Sequence, residues 1–458
     1  MEPVTLDDVA KAIGGVLQGE RTRLVRGISI DSRTVQPGQL FFALRGERTD
    51  GHQYVRMSAE RGAVGAVVSQ PVDAPEGFPL LFVADTVWAL GCFARWYRSQ
   101  FDIPVVGITG SAGKTTTKEM TAAALSARYR VLKSPQNLNT EIGVPLALAR
   151  LAREHTAAVL ELAMRGRGQI DWLAYLARPQ VGVITNIGWA HLGLLGSRDN
   201  IALAKSELLY RLPSDGIAIL NADDDYYDFC RRQAPCAVWS FGWQRPATVR
   251  ATNVTLDEQG QAQCVVRYRR EAVPLRVPVP GLHHLSNALA ALTVAVALEV
   301  PLEEAVSHLE QVSALERRMA IVHTRKQVTV LDDTYNANPA SVRAALHTLQ
   351  RVANGSRRVV VLGDMLELGD EAPRLHREVG REAAQIGAQV LVAVGEMAEE
   401  VLRGAQMERH PPQCLAFRDS RAAAEQVPAL LQPGDVVLVK GSRALQMEQV
   451  VQAITEDC

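Results

Sequence analysis

The chain has 458 residues, 47% hydrophobic and 22% charged, with a formal net charge of −1. That length exceeds one ordinary core and predicts about three domains, at roughly 100–200 residues each. Interspersed charges leave no basic stripe to recruit nucleic acid or an anionic membrane, so electrostatics points to small-molecule substrates.

The opening MEPVTLDDVAKAIGG places acidic residues early and has no unbroken apolar core, so a secretory signal is not expected. No uncharged apolar run approaches the ~20 residues that span a bilayer. Cys92, Cys230, Cys236, Cys264, Cys414 and Cys458 are scattered without a CxxC pair. Neither a zinc site nor a disulfide framework is indicated, and a reducing cytoplasm is the expected location.

Residues 1–84 mix short strands (67–68, 80–83) with turn signals such as Pro37-Gly38 and Asp50-Gly51. The middle region, 85–312, begins with an apolar helix near Trp88. A strand at 103–108 then runs into a turn of small residues, Gly110, Ser111, Ala112 and Gly113, that delivers Lys114, Thr115 and Thr116 to a helix start. This is the layout of a phosphate-binding loop: backbone N–H groups face a polyphosphate, the lysine adds a point charge, and the threonine hydroxyl can hold Mg²⁺. The spacing is unusual, because G-x-x-x-x-G-K-[ST] would need glycine at Ile108, whereas the glycines here are Gly107, Gly110 and Gly113.

Further along, strands at 157–162, 181–187 and 216–220 alternate with helical patterns, which predicts a mainly parallel sheet covered by helices. Glu161 near the end of its strand would sit beside the phosphate loop, as a Mg²⁺ ligand or as a solvated strand end. His191 follows a strand and a turn. Lys205 shares a helix with Ile201, Ala202, Ala204 and Leu208; burial there would favour a neutral amine able to add carbon dioxide, although a helical lysine is more often a surface residue. Alternation over 236–280 predicts an antiparallel patch. The helix at 285–298 carries Asn287 in its first turns, where an amide suits either an adenine edge or a helix cap.

The last region, 313–458, repeats the α/β pattern, with strands at 328–331, 358–362, 390–394 and 436–439 and helices at 341–352, 374–386 and 420–431. It reads as a doubly wound, Rossmann-like unit without a G-x-G-x-x-G turn. A hinge is expected at 312–318. Within DDTYNANP, Asp333 follows a strand, as a ribose-binding carboxylate would, or serves turn chemistry before Pro339.

Together these segments resemble the Mur ligase family of peptidoglycan synthesis. The resemblance covers nearly the whole chain: DSRTVQPGQLFFALRG (31–46), DGHQYV (50–55), TGSAGKTTTKE, NLNTEIGVP (137–145), LELAMRGRGQI (160–170), TNIGWAH (185–191), GSRDNIALAKSEL, NALAA, DDTYNANP, VLGDMLELG (361–369) and VKGSRALQME (439–448). YNANP is most specific to the dipeptide-adding branch. The resemblance implies three domains: a UDP-sugar-binding unit, an ATP-binding unit and a C-terminal unit for the amine substrate. It implies an ATP-dependent amide ligase acting through an acyl phosphate, with UDP-MurNAc-tripeptide and D-alanyl-D-alanine as substrates and a monomer as the working unit. Residues 110–116 would wrap the ATP phosphates, with Lys114 on the outer ones. Thr115 and Glu161 would bind one Mg²⁺, and His191 with a carbamylated Lys205 a second. Asn287 would read adenine, Arg318 and Asp333 would hold phosphates and ribose, and Asp31, Ser32 and Arg33 would receive the UDP-sugar. Three positions depart from the family pattern: His284 in place of asparagine, Arg317 in place of glycine and Thr334 in place of serine. A family member adding one amino acid, a folate polyglutamylating enzyme and a non-catalytic ATP switch are the rival readings; the DSR and YNANP segments argue against the first two.

Overall fold

The structure, a computed structural model, describes residues 1–135, 138–312 and 316–457. Part of the expected hinge (313–315), Asn137 of the NLNTEIGVP segment and Cys458 lie outside the described residues. Among the described residues, three large sheets follow one another along the chain, with a two-stranded sheet of Val4–Thr5 and Leu24–Val25 beside the first. The first, in residues before the helix Thr86–Arg98, has five strands in the order Val16–Gln18, Leu80–Phe82, Gly65–Val68, Gln39–Phe42, Gly27–Ser29. Only its Val16–Gln18 edge runs antiparallel.

The central sheet has nine strands. Val131–Lys133, Ala157–Glu161, Val105–Thr109, Val181–Ile184, Ile217–Asn221, Ala237–Gly242 and Val249–Leu256 are parallel neighbours in that order. Successive side chains point to opposite faces, and both faces are apolar because helices cover both. Val106, Ile108 and Val159 pack towards Lys114–Leu125 and His283–Ala297, whereas Val105, Ala158 and Leu160 pack towards Thr86–Arg98, Gln169–Ala177 and Arg198–Tyr210. The antiparallel patch is smaller than alternation implied. Ala237–Gly242 joins the parallel ladder, and reversal begins where Val249–Leu256 meets Gln261–Tyr268, followed by Glu271–Pro280. The closing helix is His283–Ala297, and an unforeseen amphipathic helix, Leu302–Leu309, follows it.

The third sheet orders Ala320–His323, Thr329–Asp333, Val436–Lys440, Arg358–Gly363, Val390–Val394 and Gln413–Phe417, parallel except for the first pair. Its central strands and its helices Pro339–Ala353, Ala372–Gln385 and Ser420–Leu430 match the sequence reading within a few residues. The edge strands Ala320–His323 and Gln413–Phe417 and the helices Ala398–Gln406 and Glu448–Asp457 were not foreseen. The edge strands are only partly buried and lack the continuous apolar runs of the interior ones. Among the described residues, no helix is long and apolar enough to cross a membrane.

Candidate active site

The C-terminal edge of the central sheet is level: Glu161 pairs with Ile108 and Ile184 with Thr109. From this edge the chain turns through Gly110–Gly113 into the helix Lys114–Leu125. Two glycines are required here. A Cβ on Gly110 would lie 1.8 Å from Thr185 Oγ1, and one on Gly113 (φ 80°) would lie 2.3 Å from Asn287 Oδ1. Hydrogen bonds from the next strand's exit fix the loop: Asn186 Oδ1 accepts from the Ala112 N–H at 3.0 Å, Thr185 Oγ1 donates to the Ala112 carbonyl at 2.6 Å, and Ser111 Oγ accepts from the Gly188 N–H at 2.8 Å. Lys114 Nζ folds back to donate to the Gly110 carbonyl at 2.9 Å, and burial lowers its pKa. The lysine is therefore held at the loop rather than waving in solvent.

A polar relay crosses the cleft in front of that loop. Arg318 Nη2 donates to Thr115 Oγ1 (2.7 Å), which donates to Glu161 Oε2 (2.7 Å), while Asn139 Nδ2 donates to Glu161 Oε1 (2.8 Å). Thr115 and Glu161 offer hard oxygens side by side, the donor set Mg²⁺ prefers. Arg318 comes from the third region and lies over the Tyr335 ring, 3.9 Å from its centroid. Arg317 turns away to pair with Glu448 at 2.9 Å, so the neighbouring arginines are sorted by direction.

The cleft between the central and third sheets holds about 600 Å³. Ser111 to Thr116, Glu161, His191, Asn287, Arg318 and Asp333 all line it. Asn287 is clasped on both sides: Oδ1 accepts from Thr117 Oγ1 at 3.3 Å, and Nδ2 donates to His284 Nδ1 at 3.2 Å. Asp333 Oδ2 accepts from Lys440 Nζ at 2.6 Å across paired strand ends, and Lys440 also donates to the Asn336 carbonyl at 2.8 Å. Asn338 caps the helix Pro339–Ala353 in a reciprocal box with Ser341, so part of YNANP is spent on shaping the strand-to-helix turn.

His191 adopts φ 64° and bonds through Nδ1 to Glu367 Oε2 of the third region at 2.5 Å. Burial, then Lys205 and Lys114, depress its pKa to about 4. Lys205 is 1% exposed on Arg198–Tyr210, which settles its burial in favour of the desolvated reading. Burial first, then Lys114, drives its pKa well below the lysine norm. Among the described residues, no three His, Cys, Asp or Glu side chains cluster as a complete metal cage. Mg²⁺ commonly takes one or two protein ligands and completes its shell with water and substrate phosphate, so the sparse donor set fits a nucleotide site.

Asp31, Ser32 and Arg33 lie in the first region and do not line this cleft. Arg33 grips Asp31 through two hydrogen bonds, 2.9 and 2.7 Å, holding the Asp31 pKa down at about 2, and Ser32 is buried. Sequence reasoning did not single out Asn139, Asn186, Tyr335 or Glu367 as site residues. All four lie within or beside segments that carry the resemblance, but only a structure shows that Asn139 bonds Glu161 and Glu367 bonds His191.

Family models described as "Mur ligase middle domain", "Mur ligase, glutamate ligase domain" and "Mur ligase family, catalytic domain" match residues 108–295, 317–443 and 24–154. The chain is 36% identical over 461 residues to the UDP-N-acetylmuramoyl-tripeptide–D-alanyl-D-alanine ligase of Escherichia coli strain K12, covering 100% of this chain and 99% of that protein. The enzyme of the same name from Synechocystis is 37% identical over 437 residues, covering 94% and 92% of the two chains. Among solved structures, a MurF from Acinetobacter baumannii superposes with a TM-score of 0.92 at 36% identity over 100% and 99% of the chains. A MurF ligase from Thermotoga maritima in complex with ADP gives 0.83 at 26% identity over 94% and 98%.

Proposed function

The chain belongs to the Mur ligase family, and we propose that it joins D-alanyl-D-alanine to UDP-N-acetylmuramoyl-tripeptide with cleavage of ATP to ADP and phosphate. The observation that carries this reading is the Arg318–Thr115–Glu161 relay beside Lys114: cations and oxygen donors from two domains meet at one phosphate loop.

The chemistry is dictated by charge. A carboxylate oxygen of the tripeptide attacks the γ-phosphorus, forming an acyl phosphate and releasing ADP. The dipeptide amine then attacks the acyl carbon and loses a proton, and the tetrahedral intermediate expels phosphate to leave the amide. Attack of an anion on a polyanion needs cations aligned with the transferring group. In this reading the N–H groups of 110–116 cradle the phosphates, Lys114 leaves the Gly110 carbonyl for the outer ones, and Arg318 binds them from the opposite wall. Asp333 serves the ribose and Asn287 orders the adenine end.

Thr115 and Glu161 would hold one Mg²⁺, and His191 with Lys205 a second. Lys205 would first have to add carbon dioxide, losing a proton and gaining two oxygen donors; its desolvated amine favours that addition. When bound, the ions would neutralise the phosphate oxygens and fix in-line geometry. We assign 1–84 to the UDP-sugar, 85–312 to ATP and 313–458 to the amine substrate, matching the sheet divisions. Asp31, Ser32 and Arg33 belong to the first of these sites. We take a monomer as the working unit, and a nucleotide-linked substrate with ATP supports action in the cytoplasm.

The test is the product mass after incubation with ATP, Mg²⁺, UDP-MurNAc-tripeptide and each amine. The expected product gains the mass of D-alanyl-D-alanine less water, with much weaker reaction for D-alanine, meso-diaminopimelate, L-lysine or L-glutamate. Preference for one of those single amino acids would overturn the choice of amine substrate.

A further inference from the structure

The triphosphate and the substrate carboxylates bring negative charge to the cleft, whereas the attacking amine arrives largely as an ammonium at neutral pH. Among the described residues, three carboxylates line the cleft: Glu141, Glu161 and Asp333. Glu161 accepts from Thr115 and Asn139, and Asp333 accepts from Lys440. Glu141 is exposed to the cleft and has no hydrogen bond or ion pair from its side chain among the described residues. Its backbone is held on both sides. The Asn139 carbonyl accepts from the Ala163 N–H at 2.9 Å, and the Asn139 side chain donates to Glu161 at 2.8 Å. The Thr140 carbonyl accepts from the Val144 N–H at 2.8 Å, and Thr140 Oγ1 accepts from the Gly143 N–H at 3.2 Å, where the helix Gly143–Leu148 begins. Gly143 allows so tight a turn, since a Cβ there would lie 2.6 Å from Leu138 Cα. A fixed turn beside the Thr115–Glu161 pair thus carries an unpaired carboxylate into a cleft built for anions. Such a group repels phosphate unless a cation meets it.

We propose that Glu141 seats the ammonium group of the amine substrate and so positions its nitrogen to attack the acyl phosphate. The inference rests on the ligase reading given above. In that reading the acyl phosphate forms in front of Thr115 and Glu161, and the turn carrying Glu141 is bonded to Glu161 through Asn139. An ammonium donates and a carboxylate only accepts, so their contact is a charge-assisted hydrogen bond with a defined direction. Mg²⁺ is the other cation of the reaction, and Thr115 with Glu161 already offers it paired oxygens. Glu141 is left for the organic cation.

Steady-state phosphate release by the full chain, with ATP, Mg²⁺, UDP-MurNAc-tripeptide and D-alanyl-D-alanine varied in turn, tests this. Glu141→Gln keeps the shape and removes the charge. It is expected to raise KM for D-alanyl-D-alanine by about 10–100-fold, the worth of a charged hydrogen bond, and to leave KM for ATP and for UDP-MurNAc-tripeptide within about two-fold. Glu141→Asp is expected to recover part of the loss, and Glu141→Ala serves should the glutamine variant not fold. A dipeptide KM within about two-fold of wild type in a folded variant overturns the role of Glu141. A comparable rise in KM for ATP or UDP-MurNAc-tripeptide, or in the Mg²⁺ needed for half-maximal rate, overturns it as well, because the carboxylate would then serve the metal or the other substrates. Absence of phosphate release by the wild-type chain with any amine overturns the ligase reading itself and this inference with it. Release by the wild-type chain with an unaltered dipeptide KM in the variant overturns Glu141 alone.

Discussion

The two walls of the cleft are built on similar parallel sheets yet treat their cations in opposite ways. On the central side, Lys114 at the cleft and Lys205, which is buried on the helix Arg198–Tyr210 and does not line the cleft, have no ion pair among the described residues, and burial pushes both pKa values down. On the third wall, Lys440 is clamped by Asp333, while Arg317 and Arg443 share Glu448. Arg318 alone among these reaches across, to a hydroxyl rather than a carboxylate. A buried cation without a carboxylate partner, as at Lys114, is a poor structural element and a good receiver of anions, whereas the desolvated amine of Lys205 favours the neutral form. The difference teaches that the central side leaves its buried lysines without carboxylate partners, whereas the third wall spends its carboxylates on pairing its own cations. Lys440 and Arg443 both already have carboxylate partners.

The sharpest way to break this comparison is a paired substitution. Lys114→Ala is expected to lower kcat/KM by about 10²–10³-fold with an unchanged melting temperature, as for loss of one transition-state donor. Lys440→Ala is expected to destabilise the fold by about 3–5 kcal/mol in urea titration, because it strands the Asp333 carboxylate. Exchange of these two outcomes would reverse the account.

Lys205→Ala is expected to lower phosphate release by about 10²-fold, and a small carboxylic acid to restore part of it by replacing the missing oxygens. A folded Lys205→Ala enzyme with near-normal turnover would remove the lysine from the site. The neighbouring arginines give a smaller contrast. Arg318→Ala is expected to raise KM for ATP by about 10–100-fold, the worth of a charged hydrogen bond, and Arg317→Ala to leave it within about two-fold.

The smallest expected effect is on pH dependence. His191 and His283 are held at about 4 by burial, below the ordinary value of 6.5. The unfolded chain therefore binds more protons than the folded one between those values, so stability is fully present above pH 6.5 and falls as pH drops towards 4. Urea midpoints at pH 7.5 and 5 check this, and a higher midpoint at pH 5 would contradict it.

The sequence made much of the central wall legible because its chemistry is local: GKTTT follows an apolar strand, and Glu161 closes the adjacent one. The third wall was less legible because its meaning lies in long-range pairing. Nothing within DDTYNANP says that Asp333 meets Lys440, 107 residues away, or that Asn338 caps a helix. That Arg318 reaches Thr115 while Arg317 pairs with Glu448 is likewise a matter of direction, which adjacent residues in an irregular segment do not reveal. Lys205 shows the converse: its apolar helical neighbours left burial open beside the commoner surface position, and its proposed role came from the resemblance.

The central claim is that the two walls bring a carboxylate to the γ-phosphate and pass it through an acyl phosphate. Label the terminal carboxylate of UDP-MurNAc-tripeptide with ¹⁸O in both oxygens, add ATP, Mg²⁺ and D-alanyl-D-alanine, and weigh the inorganic phosphate. The account predicts one ¹⁸O atom in each phosphate released, carried over when the amine displaces it. Unlabelled phosphate formed alongside the amide product would contradict it.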